Sequence, residues 1–232
     1  MSLVTGRGPL SADPAGWFHP PVSPGTVFVE PHPRRIQAVA QGKTVIDTEA
    51  ALLVHRGGLP LSYAFPEAVV NALPHHPVDE APGYVHVPWG AVDRWIEEGR
   101  ELVHYPPNPY HRVDCRPGRR GLRVSVAGTV LVDTVDTVAV FETALAPVLY
   151  VHPDRVRTDL LRRSDTTSYC NYKGWATYWS AVTADGDVVA DVAWSYPDPP
   201  PECLPIADHL SFDGSRAEML AELPETGTGC GC

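Results

Sequence analysis

Leu122-Arg123-Val124-Ser125-Val126-Ala127-Gly128-Thr129-Val130-Leu131-Val132-Asp133, "LRVSVAGTVLVD", sets the fold class of this 232-residue chain. Apolar side chains alternate on both sides of Ala127-Gly128, the period of a strand with one buried face, and a two-residue turn ending in glycine closes a tight hairpin. Val138 to Phe141 adds a short apolar run that reads as a buried strand. Pro153-Asp154 then opens a short helix expected over 154–161, since proline suits the first turn and Arg162 and Arg163 suit the last.

This pattern has a counterpart upstream. Gly42-Lys43-Thr44-Val45-Ile46-Asp47-Thr48 recurs 86 residues later as Gly128-Thr129-Val130-Leu131-Val132-Asp133-Thr134. Tyr63, Pro66, Val69 and Leu73 recur 87 residues later as Tyr150, Pro153, Val156 and Leu160. A single period of this length is too long for a solenoid and reads as a tandem duplication of one domain. The first half departs after its matching turn. It carries Pro74-His75-His76-Pro77, an acidic loop and "YVHVPWGAVDRWIEEG" (84–99), with a strand expected over Tyr84 to Val87 and a short amphipathic helix over Trp89 to Glu98. "HYPPNPYHRVDC" (104–115) is a proline-rich connector. The expected organisation is an N-terminal extension (1–33), a first copy (34–115), a second copy (116–216) and a flexible tail (217–232).

Composition narrows the class. With 44% apolar and 20% charged residues the chain is an ordinary globular protein, and no apolar run is long enough to span a membrane. Residues 1–20 lack the apolar core of a secretory signal, so a cytoplasmic location is expected. The net charge is −10 and the densest basic cluster is Arg116 to Arg123, too small a footprint for a nucleic-acid partner. Five cysteines, an odd number, fit reduced thiols, and Cys115, Cys170 and Cys203 stand apart while Cys230 and Cys232 form a two-ligand C-x-C. Leu223-Pro224-Glu225-Thr226-Gly227 matches a sortase motif but lacks the apolar span that must follow it. The ten histidines cluster only at His75-His76, and neither a glycine-rich phosphate loop nor a G-x-S-x-G elbow is present. No metal site and no organic cofactor are expected.

The chemistry concentrates in "SYCNYKGWATYW" (168–179). Downstream, Asp185-Gly186 reads as a two-residue hairpin turn, which would pair Trp175 with Tyr196, Thr177 with Trp194 and Trp179 with Val192. Trp175, Trp179, Trp194 and Tyr196 would then share one face, with Ala176, Tyr178 and Ser180 on the other. Such an aromatic wall is either core or the lining of a pocket. Tyr172 and Tyr178 complete the candidate ligand-binding set. Cys170 and Lys173 are candidate catalytic residues: the amine could activate the thiol, act when neutral, or clamp an anion, and otherwise Cys170 is a small buried side chain and Lys173 a solvated charge. Glu142 stands where the first half has Arg56, which makes it a candidate acid/base or a partner for Lys173, or else a strand-end carboxylate.

"LRVSVAGTVLVDTVDTVAVFETALAPVLYVHPDRV", "CNYKGWATYW" and "VAWSYPDPPPE…IADHLSF" together resemble the family DUF427. Cys170, Tyr172, Lys173, Gly174, Tyr178, Trp179, Trp194, Tyr196, Pro197 and Phe212 fall on its motif, while Asn171 replaces the usual proline. The second half is similar over about 121–216, and "PGYVHVPWGAVDRW" and "NPYHRVD" resemble the diverged first copy of two-copy members. The resemblance implies a mostly β fold, two tandem β-tent-like domains with short helices, and leaves the reaction open. The functional expectation is a cytoplasmic small-molecule enzyme using acid/base or covalent chemistry. The alternatives are a non-catalytic binding or sensing module with the same pocket, and an interaction protein presenting Trp89 and Trp95.

Overall fold

The computed structural model describes residues 7, 9–23 and 25–224. The chain is mostly β with only short helical turns, and it divides between His111 and Arg112 into two compact units. Cys230, Cys232 and the end of the sortase-like motif lie outside the described residues.

The first unit contains β1 (Val27–His32), β2 (Ile36–Ala40), β3 (Lys43–Thr48), β4 (Ala51–Arg56), β5 (Ser62–Pro66), β6 (His76–Pro77), β7 (Tyr84–His86), β8 (Arg94–Glu97) and β9 (Arg100–Leu102). One sheet has the order β1-β4-β5-β7-β6 and the other β3-β2-β8-β9. Their alternating apolar faces build a core of Ile36, Ile46, Leu53, Tyr63, Phe65 and Trp95. Trp95 is its largest member, stacked on Phe65 at 5.6 Å and on Trp89 at 5.4 Å.

The second unit contains β10 (Val113–Val126), β11 (Thr129–Glu142), β12 (Val148–Tyr150), β13 (Leu161–Cys170), β14 (Gly174–Val182), β15 (Val188–Ser195), β16 (Leu210–Phe212) and β17 (Glu218–Ala221). The sheets run β12-β11-β10-β17 and β13-β14-β15-β16. They are joined where Val151 and Leu210 exchange both backbone hydrogen bonds at 2.9 Å. The opening hairpin is β10–β11, with Ala127 (φ 47°) and Gly128 (φ 74°) both left-handed, as this turn type requires. Residues 218–221, expected in the tail, are instead strand β17, paired with β10.

The strand registers of the two units agree at a constant spacing of 86 residues. Val27 faces Arg56 as Val113 faces Glu142, Ile36 faces Thr48 as Leu122 faces Thr134, and Leu52 faces Ala64 as Val138 faces Tyr150. Even the register shift recurs, between Ala38 and Val39 and between Val124 and Ser125. The one-residue slip read from Tyr63 and Tyr150 is absent. Tyr63 takes the register place of Leu149, and Tyr150 that of Ala64, so the two phenols occupy opposite faces of corresponding strands.

Two expected helices are not helices. Residues 153–160 form two single 3₁₀ turns, Pro153–Arg155 and Thr158–Leu160, because β13 starts at Leu161 and draws the chain straight. Of the helix expected over Trp89 to Glu98, only Trp89–Ala91 is a 3₁₀ turn, and Arg94–Glu97 is strand β8. Glu98 (φ 48°) and Gly99 (φ 80°) form a left-handed pair that folds β8 back on β9, and hairpin pairing overrides the helical spacing of the apolar residues.

Candidate functional site

The loop that carries Lys173 is built by its glycine. β13 ends at Cys170 and β14 begins at Gly174, and these two residues are register partners. Asn171, Tyr172 and Lys173 are therefore a three-residue hairpin loop, and Gly174 at φ +87° is its left-handed closing residue. A Cβ on Gly174 would lie 3.3 Å from the carbonyl oxygen of Asp198. Gly174→Ala therefore combines backbone strain with a close backbone contact, and is expected to cost the second unit about 1–3 kcal/mol. Gly186 has the same φ with nothing near its Cβ position, so Gly186→Ala is expected to cost less. Urea denaturation of the two variants side by side checks this, and equal losses would refute the role given to the Asp198 contact.

From this loop Lys173 Nζ donates to Glu142 Oε2, at the end of β11. Both side chains are largely buried, at 11% and 9% exposure. The pair lines one part of a cleft of about 540 Å³, within the range of small-molecule sites. Tyr150, Tyr178, Trp194 and Tyr196 also line it, and Lys173 Nζ stands 5.9 Å from the centre of the Tyr196 ring. Trp194 Nε1 donates to the Tyr150 hydroxyl at 3.0 Å. Burial raises the Tyr150 phenol well above its ordinary range, the Trp194 bond working the other way, and burial followed by the nearby Tyr150 raises Tyr196. Both stay protonated at neutral pH and serve as hydrogen-bond donors or packing surface.

Asp191, Asp213 and Arg216 add a second charged group to the lining, none of them singled out by sequence. Asp191 has φ +51° in a bulge of β15, and its carboxylate accepts from Ser164 Oγ at 2.6 Å and Thr166 Oγ1 at 2.8 Å. These donors hold it charged, well below the ordinary carboxylate range. Arg216 Nε pairs with Asp213 at 3.3 Å. The signal in the sequence is indirect: an aspartate in a strand otherwise made of Val, Ala, Trp and a terminal Ser.

The aromatic wall is divided differently from expectation. Gly186 closes a three-residue loop, with Thr183 donating its N–H to the Asp187 carbonyl, so Val182 pairs with Val188. The bulge at Asp191 then shifts the register again, and Tyr178 faces Trp194 while Thr177 faces Ser195. A one-residue change of register exchanges the faces of a strand. Tyr178 therefore joins Trp194 and Tyr196 at the cleft. Trp179 turns to the opposite face, packs against the main core and donates to Ser195 Oγ at 3.3 Å. Trp175 is 55% exposed beside Tyr169.

Cys170 packs against the apolar cluster of Ile206, Cys203 and Tyr196, as does Cys115. Cys115, Cys170 and Cys203 are free thiols. Burial, with Cys115 alongside, pushes the Cys203 thiol up to about 12, and burial raises Cys115. Tyr172 contributes its backbone carbonyl, which accepts from Cys203 Sγ at 3.5 Å. In the first unit Trp95 is 2% exposed and Trp89 half-buried against it, so neither is presented as an exposed contact residue.

Among the described residues no three His, Cys, Asp or Glu side chains are grouped to hold a metal ion, and no helix is long and apolar enough to cross a membrane. No curated protein matches the chain. Residues 114–222 match the model of the domain of unknown function DUF427, and Lys173 and Glu142 lie within the matched segment.

Proposed function

We propose that the chain is a small-molecule enzyme whose acid/base chemistry runs in the cleft of the second unit, with no organic cofactor. The observation that carries this reading is the Lys173–Glu142 pair, an ion pair withdrawn from water at the wall of an aromatic cleft. Desolvating two charges costs several kcal/mol per ion, and their attraction only about offsets this, so such a pair contributes little to folding. A charge pair that contributes little to folding and lines a cleft is placed to act on a ligand. Lys173, oriented by Glu142, is suited to stabilise a developing oxyanion or donate a proton, and Glu142 to take one. Tyr178, Trp194 and Tyr196 would fix a planar or apolar part of the substrate, and the substrate class is a small polar or aromatic molecule.

The packing of Cys170 into the apolar cluster supports a chemistry without a thiol nucleophile. Free thiols on Cys115, Cys170 and Cys203 support a reducing, cytoplasmic compartment. The shared registers support reading the first unit as a diverged copy of the same domain, so that the chain is a tandem two-copy member of the family.

Untargeted mass spectrometry of a small-molecule cell extract tests the function. The wild-type protein should consume at least one species and form another, and the doubly substituted Lys173→Met/Glu142→Leu protein should do neither. Retention of a species without conversion would replace the enzyme with a binding module. Conversion that survives the double substitution would remove these residues from the mechanism.

A further inference from the structure

The first unit has a cleft of its own, of about 550 Å³. It opens where β4 passes to β5, and its lining includes Arg56, Leu59, Pro60 and Ser62. At the 86-residue spacing these are the counterparts of Glu142, Leu145, Ala146 and Val148, which line the cleft of the second unit. The two units thus keep a cavity at the same place in the fold while the strand-end charge is inverted.

The chemistry of the lining differs accordingly. The second unit's cleft is lined by three carboxylates, Glu142, Asp191 and Asp213, against Lys173 and Arg216. Among the described residues that line the first unit's cleft there is no carboxylate. Its charged lining residue is Arg56, and His76, His86 and His104 add ring nitrogens. Its apolar surface is aromatic: Trp89, Trp95 and Tyr105 line it, with Trp89 stacked on Trp95, which is fixed by its Nε1 bond of 2.9 Å to the Trp89 carbonyl and by its stacking on Phe65. Arg56 now spends one Nη2 bond, 2.7 Å, on Glu80, with both side chains about one-third exposed. A pair that exposed contributes at most about 1 kcal/mol, so an anion can displace or share it. A guanidinium recognises a carboxylate with two parallel hydrogen bonds, and an aromatic wall recognises a planar ring.

We infer that the first unit's cleft is a second ligand site, selective for a planar aromatic carboxylate whose ring lies against Trp89 and Tyr105 and whose carboxylate reaches Arg56. It does not depend on turnover in the second unit. The arrangement separates the two clefts by charge: an anion of this kind meets one exposed carboxylate, Glu80 on Arg56, at the first and three lining carboxylates in the second.

Calorimetric titration of the full chain with 2-naphthoate, and with 2-naphthalenemethanol as the neutral ring, tests the inference. Naphthoate should bind at least tenfold more tightly than the alcohol, and Arg56→Met should remove that difference while the alcohol still binds. The Lys173→Met/Glu142→Leu protein should bind naphthoate as the wild type does, which separates this site from the proposed reaction site. Absence of naphthoate binding at millimolar concentration, equal binding of acid and alcohol, indifference to Arg56→Met, or loss of binding in the double variant would each overturn the assignment. The acid–alcohol comparison on unaltered protein keeps the test valid even if Arg56→Met folds poorly.

Discussion

Lys173→Met alone, or Glu142→Leu alone, is expected to destabilise the second unit by about 3–5 kcal/mol, and the double substitution to regain most of that loss. Each single change strands a charge at a position about one-tenth exposed, with its partner gone. The double change leaves two apolar side chains of similar length against Tyr150, Val148 and Trp194, where the cleft is already apolar on one side. Urea denaturation of the four proteins, followed by near-ultraviolet circular dichroism, closes the cycle. The non-additivity is the informative quantity. A double variant as stable as the wild type would mean that folding does not require the ion pair, and would leave chemistry as the reason for its presence. If the double variant instead lost the sum of the single losses, the pair would be a structural element and the enzyme reading would lose its main support.

How far the sequence discloses this molecule depends on the range of the interactions involved. The Ala127-Gly128 hairpin is legible because the turn is local: two adjacent residues adopt φ > 0 and the alternation on either side follows. The correspondence between the units is legible for the same reason, since GKTVIDT and GTVLVDT keep the turn and the strand together. The apolar spacing of Trp89 to Glu98 suits a helix, while the deciding feature is Glu98-Gly99, a hairpin turn of the same kind as Ala127-Gly128.

Of the cleft lining, Lys173, Glu142, Tyr178, Trp194 and Tyr196 are legible in the sequence as residues, and their arrangement is not. Lys173 and Glu142 are 31 positions apart and nothing in their spacing joins them; the internal comparison with Arg56 drew attention to Glu142. The faces of β14 depended on one loop length and one bulge. Asp185-Gly186 is compatible with a two-residue or a three-residue loop, and the bulge at Asp191 is stabilised by Ser180 Oγ accepting the Asp191 N–H at 3.1 Å, a contact between strands. Each moves the register, and Trp175 and Trp179 leave the cleft while Tyr178 enters it. Asp213 and Arg216 reach the cleft from the turn after β16, a placement only the sheet order creates.

Acidification is expected to loosen the first unit between about pH 4.5 and pH 2, through Glu97. Its carboxylate, 6% exposed, accepts the Tyr63 hydroxyl at 2.5 Å and His32 Nε2 at 3.0 Å, and pairs with Arg34. Burial alone would raise its pKa, but the bonds from His32, Tyr63 and Arg34 together outweigh burial and bring it from an ordinary 4.5 down to about 2. The folded value lies below the unfolded one, so the stabilisation is present in full above the unfolded pKa and is lost as pH falls through the folded pKa. The size of the shift corresponds to about 3 kcal/mol at neutral pH. Glu97 pairs with Arg100 across the β8–β9 hairpin and faces Ile36 on β2, so the loss falls where the two hairpins of that sheet join. Hydrogen exchange of a peptide spanning residues 92–102, read by mass spectrometry at pH values from 5 to 2 with correction for intrinsic rates, follows the local stability directly. Protection should fall with pH in the wild type. In Glu97→Gln it should start lower and change little over the same range, because an amide has no proton to take up. Parallel slopes for the two proteins would assign the acid sensitivity to other carboxylates and remove Glu97 from this role.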